Sequence, residues 1–212
     1  MQYGYRKVRI LLTREDWYVG KTLVCRLYQE EGLALRQHVK WRHRTICPRR
    51  EFLRPHRPNE VWSLDFMADQ LENRQRFLVL TVVDIYTRES LALEVGQPLK
   101  GTDVVTVLEW MRLVRRIPKP LWCDNGSEFT SQTLDLWTYH HGVRIDFSRP
   151  GKPTDNAYVE SFNGTLRREY LNAHWFKTLK DAKQFIVAWG QAHNVSRPLR
   201  ALQKQTPAKF AP

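Results

Sequence analysis

Hydrophobic positions along the chain follow two periods. Tyr5, Val8, Leu11 and Leu12 recur at helical spacing, and Val24, Leu27 and Tyr28 do so again, which predicts two helices around the turn at Glu15-Asp16-Trp17. From Val61 the period shortens. Val61-Trp62-Ser63-Leu64-Asp65-Phe66-Met67 alternates like a strand, Phe77 to Val83 is a continuous apolar run rich in β-branched residues, and Leu91-Ala92-Leu93-Glu94-Val95 predicts a third strand. Thr102 to Arg115 then turns helical through Val104, Val105, Leu108 and Met111. Leu121-Trp122-Cys123 is a short strand, Thr133 to His140 a helix and Val143 to Phe147 a fifth strand, and helices follow at Asn156 to Leu171 and Lys180 to His193. A meander followed by alternating helices and strands predicts a mixed α/β sheet with helices on its faces.

Composition adds little to this beyond a folded, non-membrane protein. The 212 residues are 42% hydrophobic and 12% aromatic, enough for a real core. No apolar run is long enough to span a bilayer, and the start, Met1-Gln2-Tyr3-Gly4-Tyr5-Arg6, lacks the pattern of a secretory signal, so the cytoplasm is the expected compartment. Three cysteines, Cys25, Cys47 and Cys123, are scattered without a paired spacing and suit small buried positions in a reducing environment.

Charge changes the picture once it is located. Residues 1–58 hold 14 Lys/Arg against 5 Asp/Glu, while the remaining residues hold 20 against 17. A basic front joined to a nearly neutral body points to a polyanion, with nucleic acid the first choice. Lys21 and Arg26 lie on the second predicted helix, compatible with a helix-turn-helix reader of DNA. Between Leu35 and Asn59 the chain is rich in Arg, His and Pro, which predicts an extended linker whose Arg42, Arg44, Arg49 and Arg50 contact phosphates. His38, His43, Cys47 and His56 lack the spacing of a zinc site.

Three acids stand out in the body. Asp65 interrupts an apolar strand, where a carboxylate is costly unless paired or bound to a cation. Asp124 follows a strand at the tight turn Asn125-Gly126, where ligand groups gather in open α/β sheets. Glu160 lies on a helix whose Val159, Phe162, Leu166 and Tyr170 form the buried stripe, leaving Glu160, Gly164 and Arg167 on a neighbouring face. Carboxylates converging from separate elements without cysteine suit hard cations such as Mg²⁺, and two such ions serve phosphodiester displacement. Asp84 is the rival carboxylate for the site, but its turn-rich setting favours capping of the chain, with Glu128 and Asp155 as local turn and helix-start acids.

The spacing of these acids, with 35 residues between Asp124 and Glu160, resembles the DDE triad of retroviral-integrase-like transposases. "VWSLDFM", "WCDNGSEF" and "RPGKPTDNAYVESFNGTLRREYLN" are similar to the two aspartate motifs and the glutamate motif of the insertion-sequence transposases encoded in two overlapping reading frames, this chain resembling the second product. "GYRKVRILLTREDWYVGKTLVCRLYQEEGL" resembles that group's helix-turn-helix segment.

The resemblance implies a ribonuclease H-like core, Asp65, Asp124 and Glu160 as catalytic metal ligands for Mg²⁺ or Mn²⁺ as two ions, and metal-dependent cleavage and transfer of DNA strands. It implies double-stranded transposon ends and target DNA as substrate, a homo-oligomer on that DNA in the bacterial nucleoid, and an upstream-frame protein as partner. Arg167 falls where the group carries a basic residue, and Lys152 and Arg168 flank it as further DNA-contacting positions. The implied layout is a helix-turn-helix segment over 1–34, a basic linker over 35–59, the catalytic core over 60–179 and a helical tail over 180–212. The tail departs from the group's pattern, with His193 and Leu199 standing where tyrosine and histidine are usual. Met1 also stands close before the matching segment, which is the pattern of a truncated copy. A decayed copy acting only as a DNA-binding protein, and a ribonuclease of RNA:DNA hybrids, are the rival readings.

Overall fold

The computed structural model describes residues 3–33, 55–149 and 156–211. They fall into two compact units, residues 1–54 and residues 55–212. In the first, α1 (Tyr5–Arg14) and α2 (Lys21–Glu30) form the expected helix pair. Val24 is the single buried side chain among its described residues, and Leu23, Leu27 and Leu33 stay largely exposed. Lys21 and Arg26 are both on the exposed side of α2, with Arg26 lying 3.6 Å from Glu30. Arg42, Arg44, Arg49 and Arg50 of the predicted linker lie outside the described residues.

The second unit contains β1 (Trp62–Gln70), β2 (Arg76–Asp84), β3 (Ser90–Gly96), α3 (Gly101–Val114), β4 (Pro120–Cys123), α4 (Gln132–His141), β5 (Arg144–Phe147), α5 (Ala157–Glu169), α6 (Leu179–Ser196) and α7 (Pro207–Phe210). The sheet runs β3-β2-β1-β4-β5. The meander supplies two antiparallel pairs, while β1, β4 and β5 are parallel because helices carry the crossovers.

Strand alternation then divides the core. Trp62 and Leu64 of β1 join Leu80, Val82, Leu108, Met111 and Leu134 beneath α3 and α4. Met67 faces the other way and joins Phe77, Val79, Val83, Val159, Phe162, Leu166, Ile186 and Trp189 beneath α5 and α6. With period two, Asp65 shares the face of Met67 and so points toward α5.

α6 belongs to this second layer, so the helix expected in a C-terminal tail is part of the core. Gly190 explains how closely it approaches β3, since a Cβ there would stand 2.5 Å from Leu93 Cδ1. Asn194 completes the seam by accepting from Ser90 N at 2.8 Å and donating to Ser90 O at 2.9 Å, acting as one more strand partner for β3. Gly190→Ala should therefore force the buried Leu93 side chain or α6 to shift and lower stability by about 1–3 kcal/mol, measured by urea denaturation.

Candidate active site

β1 and β4 pair with Trp62 opposite Leu121 and Ser63 opposite Trp122. Continuing that register two steps sets Asp65 beside Asp124, at the point where β4 ends and its chain turns away. The turn is built to hold Asp124: its Oδ1 accepts from Gly126 N at 3.0 Å, and a Cβ on Gly126 would crowd that same oxygen at 3.1 Å. Asn125 fastens the other side of the loop by donating to Ser148 O at 2.9 Å. Phe129, buried beneath it, meets Phe66 at a ring distance of 5.0 Å.

α5 lies along β1, and its polar contacts fix the register between them. Asn156 accepts from Ser63 Oγ and donates to Leu64 O at 3.0 Å. Asn163 Nδ2 donates to Asp65 Oδ2 at 2.8 Å, and Arg167 Nη2 donates to Ala68 O at 2.9 Å. These positions, 156, 163 and 167, together with 160, follow the spacing of one helix face. Glu160 is thus carried along the stripe that rides on β1, while Val159, Phe162 and Leu166 drive the helix onto the sheet by burial worth about 1.5–3 kcal/mol each.

Electrostatics of Asp65 reflect this convergence. Burial pushes its carboxyl up to about 6, the Asn163 amide opposes the rise, and the negative charges of Asp124 and then Glu160 add to it. Glu160 is also raised by partial burial, although it sits in the first turn of α5, where a helix N-terminus favours an acid. Among the described residues no three acidic, histidine or cysteine side chains are drawn together as a finished metal shell. The donor set nevertheless fits a hard divalent cation: all three groups are carboxylates, and the most buried of them has no positive partner among the described residues. The residue that holds Asp65 adds an unmet acceptor, since the buried Oδ1 of Asn163 has no hydrogen-bond partner among the described residues.

Of the remaining sequence-selected residues, Asp84 does cap the chain. Its Oδ1 accepts from Tyr86 N and Thr87 N, both at 2.8 Å, and its Oδ2 accepts from Asn59 N at 2.6 Å. Arg168 Nε donates to Gly164 O of its own helix at 3.0 Å. Lys152 and Asp155 lie outside the described residues. The sequence pattern gives Asn156, Asn163 and Glu169 no role. Glu169 holds Arg197 through a buried two-bond contact. Period-based reading sees neither feature, because both depend on partners far away in the sequence.

The chain as a whole is similar to known proteins. Two family models described as integrase core domain match residues 55–153 and 141–207. An insertion element IS407 protein of 31.7 kDa from Burkholderia multivorans is 43% identical over 99% of this chain and 76% of its own length. An insertion element IS476 protein from Xanthomonas euvesicatoria is 40% identical over 99% of this chain, which spans only 60% of that relative. Among solved structures, the HTLV-2 integrase catalytic core in complex with magnesium covers 75% of the chain at a TM-score of 0.60 and 16% identity. A simian T-cell lymphotropic virus intasome chain covers 98% at 0.65 and 16% identity. The mixed five-stranded sheet with its flanking helices is accordingly ribonuclease H-like.

Proposed function

The chain belongs to the insertion-sequence transposases built on an integrase core domain, and from that premise we propose that it cuts DNA strands at element ends and transfers them to target DNA. Its family acts in DNA transposition. The observation that carries the finer reading is geometric: the β1–β4 register sets Asp65 beside Asp124, and Asn163 ties Asp65 to the helix that carries Glu160. Asp65, Asp124 and Glu160 would hold Mg²⁺ or Mn²⁺ as a pair of ions, which supply nucleophile activation and stabilisation of the leaving oxygen. The magnesium in the HTLV-2 integrase core supports divalent metal here.

The protein's own contribution is placement. Asn163 orients the Asp65 carboxylate, Gly126 N orients that of Asp124, and the Asn156 and Arg167 contacts set the height of Glu160 along β1. The exposed Arg167 spends one N–H on Ala68 O, and its remaining donors serve a DNA phosphate, with Arg168, Lys152, Lys21, Arg26 and the linker arginines adding further contacts. A homo-oligomer on DNA and an upstream-frame partner complete the reading. Among the described residues no helix is long and apolar enough to cross a membrane.

The deciding experiment incubates the protein with duplex DNA carrying its own element's ends, with Mg²⁺ or with EDTA. Metal-dependent nicking is expected; DNA binding without nicking would leave a DNA-binding remnant. Arg167→Ala should weaken binding and reduce the slope of log affinity against log salt by about one contact. An unchanged slope would confine Arg167 to its structural bond with Ala68. Asn163→Leu should raise the Mg²⁺ concentration for half-maximal cleavage by about 10-fold through loss of an orienting hydrogen bond, measured by metal titration.

A further inference from the structure

A lone exposed aromatic is ordinary, but one held out on a segment pinned from both sides among cations is not. Trp175 is 77% exposed, just beyond the 3₁₀ turn Leu171–Ala173 that follows α5. Before it, the His174 ring stacks on Tyr170 with centroids 4.2 Å apart, and its Nδ1 lies 2.9 Å from Tyr170 O. After it, Phe176 is buried edge-on against Phe77 at 6.1 Å, and its carbonyl accepts from Glu72 N at 2.9 Å. The segment is thereby fastened to the β1–β2 turn while the indole faces water.

Exposed Arg167 and Arg168 in the last turn of α5, and Lys177 and Lys180 just after Trp175, supply positive charge along this stretch. The acids along it are Glu72, Asp181, which caps α6 with Thr178, and Glu169, which is committed to Arg197. We propose that Trp175 is a stacking platform for an unpaired DNA base, with Lys177 and the α5 arginines taking the adjoining phosphates. The proposal rests on the DNA-cutting reading above. A basic surround and a rigid π-face are what single-stranded DNA requires, whereas a protein hot spot sits among apolar neighbours that exclude water.

Position agrees with use during cutting. Leu71, at the turn to which this segment is fastened, lies six residues beyond Asp65, and at about 3.3 Å per residue this puts the platform roughly 20 Å along β1 from the carboxylates. At about 3.4 Å per stacked nucleotide that is on the order of six nucleotides from the reacting phosphate. A strand peeled from the duplex beside the cut reaches that far.

The test measures binding of the full chain to oligothymidylate, and fluorescence of 2-aminopurine placed in an unpaired flap next to the cleavage position. Trp175→Ala should lose about 10-fold in oligothymidylate affinity with the salt slope unchanged and abolish 2-aminopurine quenching, and Trp175→Tyr should restore most of both. Lys177→Ala should instead flatten the salt slope. Unchanged affinity and quenching in Trp175→Ala would overturn the proposal. So would a change in sedimentation with DNA binding intact, which would assign the indole to a subunit contact. If the unmodified protein cleaves duplex ends with Mg²⁺ but Trp175→Ala behaves as wild type, only the platform fails; absence of metal-dependent cleavage in the unmodified protein counts against the function itself.

Discussion

Asp65→Asn is expected to destroy cleavage and at the same time make the metal-free protein more stable. Cleavage should fall by about 10³-fold or more, the scale of losing a group that acts as part of a unit. Stability should move the other way because the native carboxyl titrates at about 6 against an ordinary 3.8. Folding therefore retains a proton that the unfolded chain has released, so stability falls as pH rises from near 4 to near 6, and the penalty is complete above that range. The gap corresponds to at most roughly 3 kcal/mol, and partial solvent access reduces this to about 1–2 kcal/mol. The amide carries no charge and escapes the penalty.

In EDTA at neutral pH, the Asp65→Asn melting temperature should rise by about 3–6 °C, and the gain should shrink to a fraction near pH 4. Mg²⁺ should stabilise the native protein and leave the variant unchanged. Asp124→Asn and Glu160→Gln should lose cleavage similarly. Calorimetry showing no gain in Asp65→Asn would dismiss the electrostatic strain. Near-normal nicking by it would remove Asp65 from the metal site, and Asp84 could not replace it, because both its oxygens are held by backbone amides.

The elements were legible because each expresses its own period. Predicted and observed strands differ by up to three residues at their ends: Phe77 to Val83 against Arg76–Asp84, and Val61 to Met67 against Trp62–Gln70. Asp65 was legible because a carboxylate in an apolar strand is an energetic anomaly wherever the strand sits. The order β3-β2-β1-β4-β5 was not, since an apolar run carries no label for its neighbour, and without the β1–β4 pairing nothing in the strand pattern puts Asp65 beside Asp124. Asn156 and Asn163 were visible as residues and silent as partners: their side chains bond to positions 92 to 98 residues away. Of the departures in the C-terminal motif, His193 is buried against Phe162 and Trp189, with ring centroids 5.0 and 5.4 Å away, and its neighbours supply the bonds that fix the segment. Asn194 extends β3, and Arg197 meets the end of α5.

That last contact carries the second large effect. The Arg197 and Glu169 side chains are 4% and 8% exposed, and the guanidinium meets both carboxylate oxygens. Glu169→Ala would remove the carboxylate that takes two bonds from this buried guanidinium, and the expected loss is about 3–5 kcal/mol, a large part of the stability of a domain this size. The pair also joins the chain just past α6 to the last turn of α5, the same helix that carries Glu160 in its first turn, so weakening it loosens the mount of the glutamate. Replacing both residues with leucine tests whether the charges are needed for stability or for placement. Apolar packing should recover most of the lost stability, since a buried pair barely offsets its own desolvation. Cleavage should recover less, because two leucines lack the directional bonds that hold the end of α5. Urea denaturation and Mg²⁺-dependent nicking on the same two variants separate these effects. Full recovery of cleavage in the double leucine variant would show that packing alone positions Glu160, and a single Glu169→Ala variant as stable as the native protein would show that Arg197 finds another partner.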